Sequence, residues 1–512
     1  MNKLAIGVFL ALVGITLYIT YWSAKRMKDQ TDFYAAGRSI KGWQNGLAIV
    51  GEFLTAAAFL GIGGLISFWG VDGQIYSITW FASYLIVLLL VAEPIRNSGK
   101  YTFADIVSYR LNERAIRPLA AINAFLICLM YLIPQMVAAG ALSKLLFGIS
   151  ASTGLVIVGV LMIVYITFGG MLAATWIQVL KAMMLLTCAY ILAFLILRQY
   201  HFSVNAMFAA VANSKDLGTA WLEPGRWPMV KTPIERLSLG FTLLFGTMAL
   251  PHVLMRFYTV PTKREAQGSA MWSLTFMMIF HVLTFIFGLG AALLVGNKLI
   301  KSLDAGGNIA VPLLARNVAG GPGTLSGELF MAFLVSVAFI TIIAAVSGLC
   351  IGASSAFSYD FWFRVVKKGN QSKEQQMLTA RIAAFGIGVA AIVGGLALRQ
   401  VNVAYLAGLA FAIAATANLP TLIFSLYWKG LTTKGAFIGM LGGAVVAVAC
   451  VLTGPQMMGK AALFPLNNPG IVTVPIGFLL TYLGSVLTRD KVSAVKFEEL
   501  AVRSRSGLGA ES

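Results

Sequence analysis

The sequence predicts an all-α integral membrane protein with about thirteen transmembrane helices, and three observations carry that expectation. The chain of 512 residues is 59% apolar and only 11% charged, with a mean hydropathy of +0.84. A soluble domain typically carries about 25% charged residues, so this much apolar surface requires lipid around it. Apolar stretches close to the length of one bilayer crossing, about 20 residues, recur along the whole chain. Lys and Arg are shared unequally between the loops that join them. A cytosolic enzyme, a nucleic-acid binder and a secreted disulfide scaffold are thereby excluded. Cys128, Cys188, Cys350 and Cys450 sit in apolar runs with no metal-ligand spacing, and His201, His252 and His281 are scattered. No metal cluster is expected, and the cysteines are read as small hydrophobes.

Taken in order, the first span covers about 4–22. It is read as a retained helix, because the following run Ser23–Lys28, SAKRMK, offers no small-residue cleavage site. Spans two to six are expected at about 45–70, 77–95, 118–143, 151–168 and 175–197. Spans seven to eleven follow at about 238–255, 269–296, 327–357, 379–398 and 402–427, and the last two at 435–453 and 471–487. Basic residues cluster after alternate spans: Lys25 to Lys41 after the first, Arg96 to Arg117 after the third, and Arg256 to Arg264 after the seventh. Arg364 to Arg381 follow the ninth span, Lys429 and Lys434 the eleventh, and five more lie after Thr488. With the N-terminus outside, 25 of the 38 Lys and Arg fall on the cytoplasmic side, 12 on the outer side and Lys181 within a span. The positive-inside rule therefore favours an inner-membrane, multi-pass protein with an outside N-terminus and a cytoplasmic C-terminus. The net charge of +19 needs no nucleic acid to explain it.

Two spans look breakable. Span two combines Glu52, Thr55 and the glycines Gly51, Gly61, Gly63 and Gly64 at membrane depth. Span seven pairs Gly246 with Pro251, and proline removes a helix-ladder hydrogen bond. The two are five spans apart, an odd offset that turns them oppositely, so spans 2–6 and 7–11 are expected to be inverted repeats. Interrupted helices in corresponding places of two halves point to a transporter binding site. Glycines at close helix contacts are the competing explanation.

The stretches Asp32–Gly37, Gln44–Ile49 leading into Gly51–Gly61, Glu93–Arg96 and Tyr101–Asp105 form a set. Phe168–Met171 before Thr175–Gln178, Gly246–Phe257, Gly408–Ala415 and Tyr427–Lys429 complete it, from about residue 15 to 455. Together they resemble the sodium:solute symporter family, and within it the acetate permease (cation/acetate symporter) branch. The resemblance implies a leucine-transporter-like fold with five-plus-five inverted repeats and extra flanking helices. The whole chain, 1–512, is then one transporter domain: flanking helix 4–22, repeats 45–197 and 238–427, C-terminal helices 435–487, and a cytoplasmic tail 488–512. It also implies uptake of acetate and other short monocarboxylates by alternating access, coupled to sodium or a proton and needing no cofactor. A transport-like sensor serving a separate signalling partner is the alternative, although only about 25 residues follow the last span. An enzyme is not expected, since no triad, metal cluster or phosphate loop is present.

Glu52 is the sharpest candidate for coupling. A carboxylate inside a span costs about 2.5 kcal/mol or more, so it faces a cavity or a partner; here it would hold a cation or take up a proton. The family's sodium site lies between spans two and nine. Motif matching assigns the carbonyls of Gly51 and Leu54 to it, with Thr341 and Ser347 near the positions where other members carry hydroxyls and this chain has Ala344 and Ala345. Another departure is Gln178 where many members have an acid; Lys181, after it, is expected to snorkel to the cytoplasmic surface. Thr55, Ala58, Phe59, Gly246 and Thr247 are the expected substrate contacts, through half-helix N-termini, hydroxyl donors and apolar walls around a methyl-sized tail. Mid-helix Thr also commonly bonds back to the preceding turn. His252 and Arg256 are read as gating residues or as a capped helix end, and Asp105 as the partner of a nearby Arg.

Overall fold

Every element is helical in the computed structural model, which describes residues 3–25, 35–168 and 171–509. After α1 (Lys3–Ala24), α2 (Gly42–Phe53) starts at Lys41, whose N–H bonds to the Gln44 side chain at 3.1 Å. It stops at Leu54, where φ −74° and ψ 70° leave the helical region. The chain resumes through a wide π-helical turn, Ala57–Gly61, into α3 (Ile62–Trp69), at 61° to α2. Span two is thus one broken helix.

Gly70, at φ 59°, turns the chain into α4 (Val71–Leu90), which begins earlier than the hydropathy of span three suggests. The reason is Asp72, whose charge is fully buried yet satisfied by the N–H groups of Gly225 and Trp227. Short helices α5 (Ala92–Ser98) and α6 (Phe103–Arg110) lead to α7 (Glu113–Phe147), α8 (Ala151–Phe168) and α9 (Met171–Gln199). A surface helix, α10 (Val204–Ala212), precedes the second broken span. There α11 (Pro233–Gly246) and α12 (Pro251–Leu254) flank an extended Leu250, and the two parts bend by 44°. The break falls at Leu250–Pro251 rather than at Gly246–Thr247, because proline at the first helical position supplies no N–H to the turn before it.

The rest follows the expected order: α13 (Lys263–Leu294), α14 (Asn297–Leu303), α15 (Ala310–Val318) and α16 (Leu325–Ser355), continued by a π-helical end, Ala356–Val366. Then come α17 (Lys373–Ala397), α18 (Val403–Ile413), α19 (Leu419–Tyr427), α20 (Thr433–Leu452), α21 (Pro455–Met458), α22 (Gly470–Val486) and α23 (Lys491–Ser506). Among the described residues, eight helices are long and apolar enough to cross a membrane alone, or up to eleven if each bent pair is one span. Helices α1 and α8 stand where spans one and five are expected, but their described apolar stretches are shorter.

The last helix, α23, lies 119° from α22 and packs back across the ends of other elements. Asn97 donates to the Ser504 carbonyl at 2.8 Å and Arg503 returns a bond to the Asn97 carbonyl at 2.8 Å. Arg110, almost fully buried, gathers the carbonyls of Phe424, Ser425, Trp428, Lys429, Leu431 and Ser493. It satisfies the orphan carbonyls at the end of α19 and ties α6 to α23. Arg110→Ala leaves several of these buried acceptors unpaired. The expected result is a loss of about 3 kcal/mol with faster tryptic cleavage within 491–506, checked by thermal unfolding and limited proteolysis in detergent.

Asp490, at the start of α23, has its pKa pushed up by burial, but hydrogen bonds from Ser493 and Thr433 outweigh this and hold it at about 2. An unperturbed Asp titrates near about 3.9. The stabilisation is therefore complete above that value and lost as pH falls through about 2. Amide exchange across 491–506 is expected to show no change in docking between pH values of about 5 and 8, because this window lies wholly above both values.

Candidate functional site

The break in span two frees backbone oxygens. The Thr55 N–H bonds to the Phe53 carbonyl at 2.8 Å, whereas an unbroken helix would direct it to Gly51. Among the described residues no backbone N–H replaces it at Gly51, and none reaches the Leu54 carbonyl. Thr341, on α16, presents a buried hydroxyl with no hydrogen-bond partner among the described residues. Carbonyls released from a ladder and an unpartnered hydroxyl are oxygen ligands suited to a hard cation. The side chain of Ser347 lies outside the described residues, as do Asp32 to Tyr34 and Gly169–Gly170.

Beside these oxygens lies a buried cluster of charges. Glu52, 2% exposed, forms an ion pair with Arg256, 1% exposed, through its Oε2. The same oxygen accepts from the Gln178 amide at 2.9 Å, and that amide also donates to the Ala344 carbonyl at 2.9 Å. Arg256 donates further to Thr175 Oγ1 at 2.9 Å, and Asn45 fixes its backbone by donating to the Arg256 carbonyl at 3.0 Å. Glycines make this approach possible: a Cβ on Gly51 would strike the Gln178 backbone, and one on Gly348 would strike the Glu52 carboxylate.

Lys181 joins the same cluster. Its side chain is wholly buried, its Nζ has no hydrogen-bond partner among the described residues, and it interacts electrostatically with Glu52 and Arg256. Snorkelling, expected from the sequence, does not occur, because this part of α9 packs against α2 instead of lipid.

The expected substrate contacts separate into two groups. Thr55 stays at the break, where its Oγ1 accepts from the Ala57 N–H at 3.2 Å and meets the Tyr131 hydroxyl. Ala58 is buried nearby, but Phe59 packs onto α13, its ring 5.9 Å from Phe287 and 6.2 Å from Phe280. Thr247 Oγ1 bonds back to the Leu243 carbonyl at 2.9 Å, and a Cβ on Gly246 would strike Phe411. Gly246 therefore serves close packing against α18. His252 is buried and stacked on Tyr131 at 5.3 Å, deep in the protein, and neither ring nitrogen has a partner among the described residues.

Sequence reasoning missed the aromatic wall opposite the break. Tyr76, Trp80 and Tyr84 recur at helical spacing along one face of α4. Phe53 lies 5.5 Å from Trp80 and 5.0 Å from Tyr84, and Phe411 lies 5.5 Å from Trp80 and 5.7 Å from Tyr131. The Tyr76 hydroxyl, the Trp80 Nε1, the Tyr84 hydroxyl and both ends of the Gln135 amide are buried with no partner among the described residues. Buried polar groups are nearly always hydrogen-bonded, so this concentration of free donors around the break calls for a polar ligand. The available signal was the repeat of three polar aromatics four residues apart.

Comparison with known proteins gives the same fold. The profile of the "Sodium:solute symporter family" matches residues 33–443. A Bacillus subtilis (strain 168) protein, "Uncharacterized symporter YwcA", is 42% identical over 520 residues, covering 100% of each chain. A structure of a Na+-coupled sialic acid symporter, substrate-bound and outward-open, superposes with a TM-score of 0.73 at 17% identity, covering 95% of this chain and 98% of that one. Mhp1, a nucleobase-cation-symport-1 family transporter in a closed conformation, gives 0.53 at 15% identity, with 92% and 99% covered. These likenesses establish the leucine-transporter-like architecture.

Proposed function

The chain belongs to the sodium:solute symporter family, and from that premise we propose that it imports acetate and related short-chain monocarboxylates together with a cation. Symport of a small molecule with a cation across a membrane is the family's activity; the substrate, the ion and the direction are the proposal. The observation that carries it is the broken span two, whose freed carbonyls lie at the end of a segment that packs against α16, the helix of Thr341, and ends at Phe53, which packs on Trp80 and Tyr84.

In this reading the cation binds the carbonyls of Gly51 and Leu54 and the hydroxyl of Thr341, and its charge fixes the geometry of the break. The substrate carboxylate takes hydrogen bonds from Tyr76, Trp80 and Tyr84, and Phe53 and Phe411 cover its short apolar tail. Charge balance supports an anion. Arg256 neutralises Glu52, so a bound cation leaves one positive charge uncompensated in a setting where unpaired charge is costly. A bundle that contains both broken spans rocks against the rest of the protein, so that the site between spans two, seven and nine opens first to the outside and then to the cytoplasm. His252 and Arg256 act at the second break, linking its closure to span two. Proton coupling is a second reading. It is favoured by the position of Lys181, a titratable group wholly buried beside the Glu52–Arg256 pair.

The test is uptake of labelled acetate into proteoliposomes, with sodium and proton gradients imposed separately at matched membrane potential. Accumulation driven by inward sodium, and absent from protein-free vesicles, is expected. Accumulation that follows only the proton gradient, after subtraction of acetic acid leak, transfers coupling to the Lys181 cluster. No accumulation under either gradient contradicts acetate symport.

A further inference from the structure

A cavity of about 520 Å³ opens at the end of the molecule opposite α23: Gln456, which lines it, precedes the start of α22, and α23 follows the other end. Among the described residues, its only charged lining groups are Arg226 and Lys301. Arg226 is held in place from both sides. The N–H groups of its neighbours, Gly225 and Trp227, bond to the fully buried Asp72 at 3.0 and 2.8 Å. Its guanidinium lies 3.5 Å from the centre of the Trp221 ring, and Trp221 is itself anchored by a 3.1 Å bond from Nε1 to the Ser67 carbonyl. Asp72 spends its charge on those N–H groups and on Arg236, 3.8 Å away. Among the described residues no carboxylate pairs with Arg226, and its Nε is buried without a partner.

An adjoining cavity of about 440 Å³ shares Lys301 and Gln400, and adds Lys144 and Arg399 against a single acid, Asp304. Asp304 is engaged by the Asn308 N–H at 2.5 Å. The two cavities together hold four cations and one acid on the face that the positive-inside rule leaves poor in Lys and Arg. The first cavity abuts the free aromatic donors: the Trp227 ring is 6.1 Å from Tyr76, and Tyr405 lines it from the other side. Phe68, Trp69 and Met229 supply apolar walls.

We propose that this cavity is an outer subsite for small monocarboxylates, in which Arg226 is the fixed cation and Lys301 the second, loading the anion above the Trp227–Tyr76 contact. The proposal rests on the import reading for its direction, although the subsite itself requires only a carboxylate. Positive potential in such a cleft raises the local concentration of anions.

The test places a cysteine at exposed Gln400, which lines both cavities, in a Cys450→Ser background; the remaining native cysteines are buried. The purified full chain in nanodiscs is labelled with an anionic (sulfonatoethyl) or a cationic (trimethylammonioethyl) methanethiosulfonate. The anionic reagent is expected to react faster than its rate with a free thiol predicts. Arg226→Gln with Lys301→Gln should lower the anionic-to-cationic rate ratio about tenfold, whereas Arg226→Lys should retain it. Sodium acetate and propionate should slow the anionic reagent more than sodium chloride at equal ionic strength. An unchanged ratio in the double variant, or equal protection by chloride, overturns the subsite. Protection by acetate in a protein that fails to accumulate acetate keeps the subsite and removes acetate as the transported species.

Discussion

Arg256→Ala is expected to abolish uptake and to destabilise the protein by about 3–5 kcal/mol, the cost of stranding one member of a buried ion pair. Glu52 would keep only the Gln178 amide, in a space bounded by Gly348 and closed to water. Lys181 stands near enough to interact with it, but without a hydrogen bond. Glu52→Gln alone leaves Arg256 as an uncompensated buried cation and should be comparably damaging. The double variant Glu52→Gln with Arg256→Gln removes both members and is expected to recover most of the stability but little uptake, because the pair joins the two broken spans. Thermal unfolding in detergent and uptake in proteoliposomes read the two effects separately. Full uptake in the double variant would reduce the pair to a structural role.

Arg117→Ala should be nearly as severe, with a loss of about 3 kcal/mol or more and a collapse of the gradient-driven plateau. Arg117 donates to Asp105 at 2.9 Å, to Asp360 at 2.5 Å and to the Ser108 hydroxyl at 3.0 Å, and Glu113 lies 2.8 Å from its Nε. Asp360 is 1% exposed and also receives the Thr102 hydroxyl at 3.1 Å. A single guanidinium thus binds α6, α7 and the end of the α16 segment, and without it three carboxylates face one another. Arg117→Lys keeps the charge but loses the planar fork, so it should restore most of the stability and part of the uptake. Equal melting temperatures for Arg117→Ala and the parent would sink this account.

The spans were legible because hydropathy reports directly on contact with lipid. Both breaks announced themselves through local chemistry: Gly51 to Gly64 around Glu52 in one case, Pro251 in the other. The second lay four residues beyond Gly246, since the ladder fails before the proline while the glycine is needed for packing against Phe411. Asp105 has the Arg partner expected of it, Arg117, twelve residues on along α7. What stayed hidden depended on pairing between distant segments. Lys181 reads as an interfacial cation until α9 is seen to face α2. Asp72 gives no signal of its own until residues 225–227 arrive to satisfy it. The face shared by Tyr76, Trp80 and Tyr84 reads as ordinary span surface until their heteroatoms are found unpartnered.

The central claim is that cation and carboxylate meet at the break of span two. It is tested most directly by equilibrium binding of labelled acetate to the purified protein across a sodium titration, in the parent and in Thr341→Ala. Linkage requires that an ion bound beside the substrate change substrate affinity, and the reverse, by the same factor. The expected result is tighter acetate binding with rising sodium, and a Thr341→Ala curve shifted to higher sodium that converges with the parent at saturation. Acetate binding that ignores sodium in both proteins would contradict the claim.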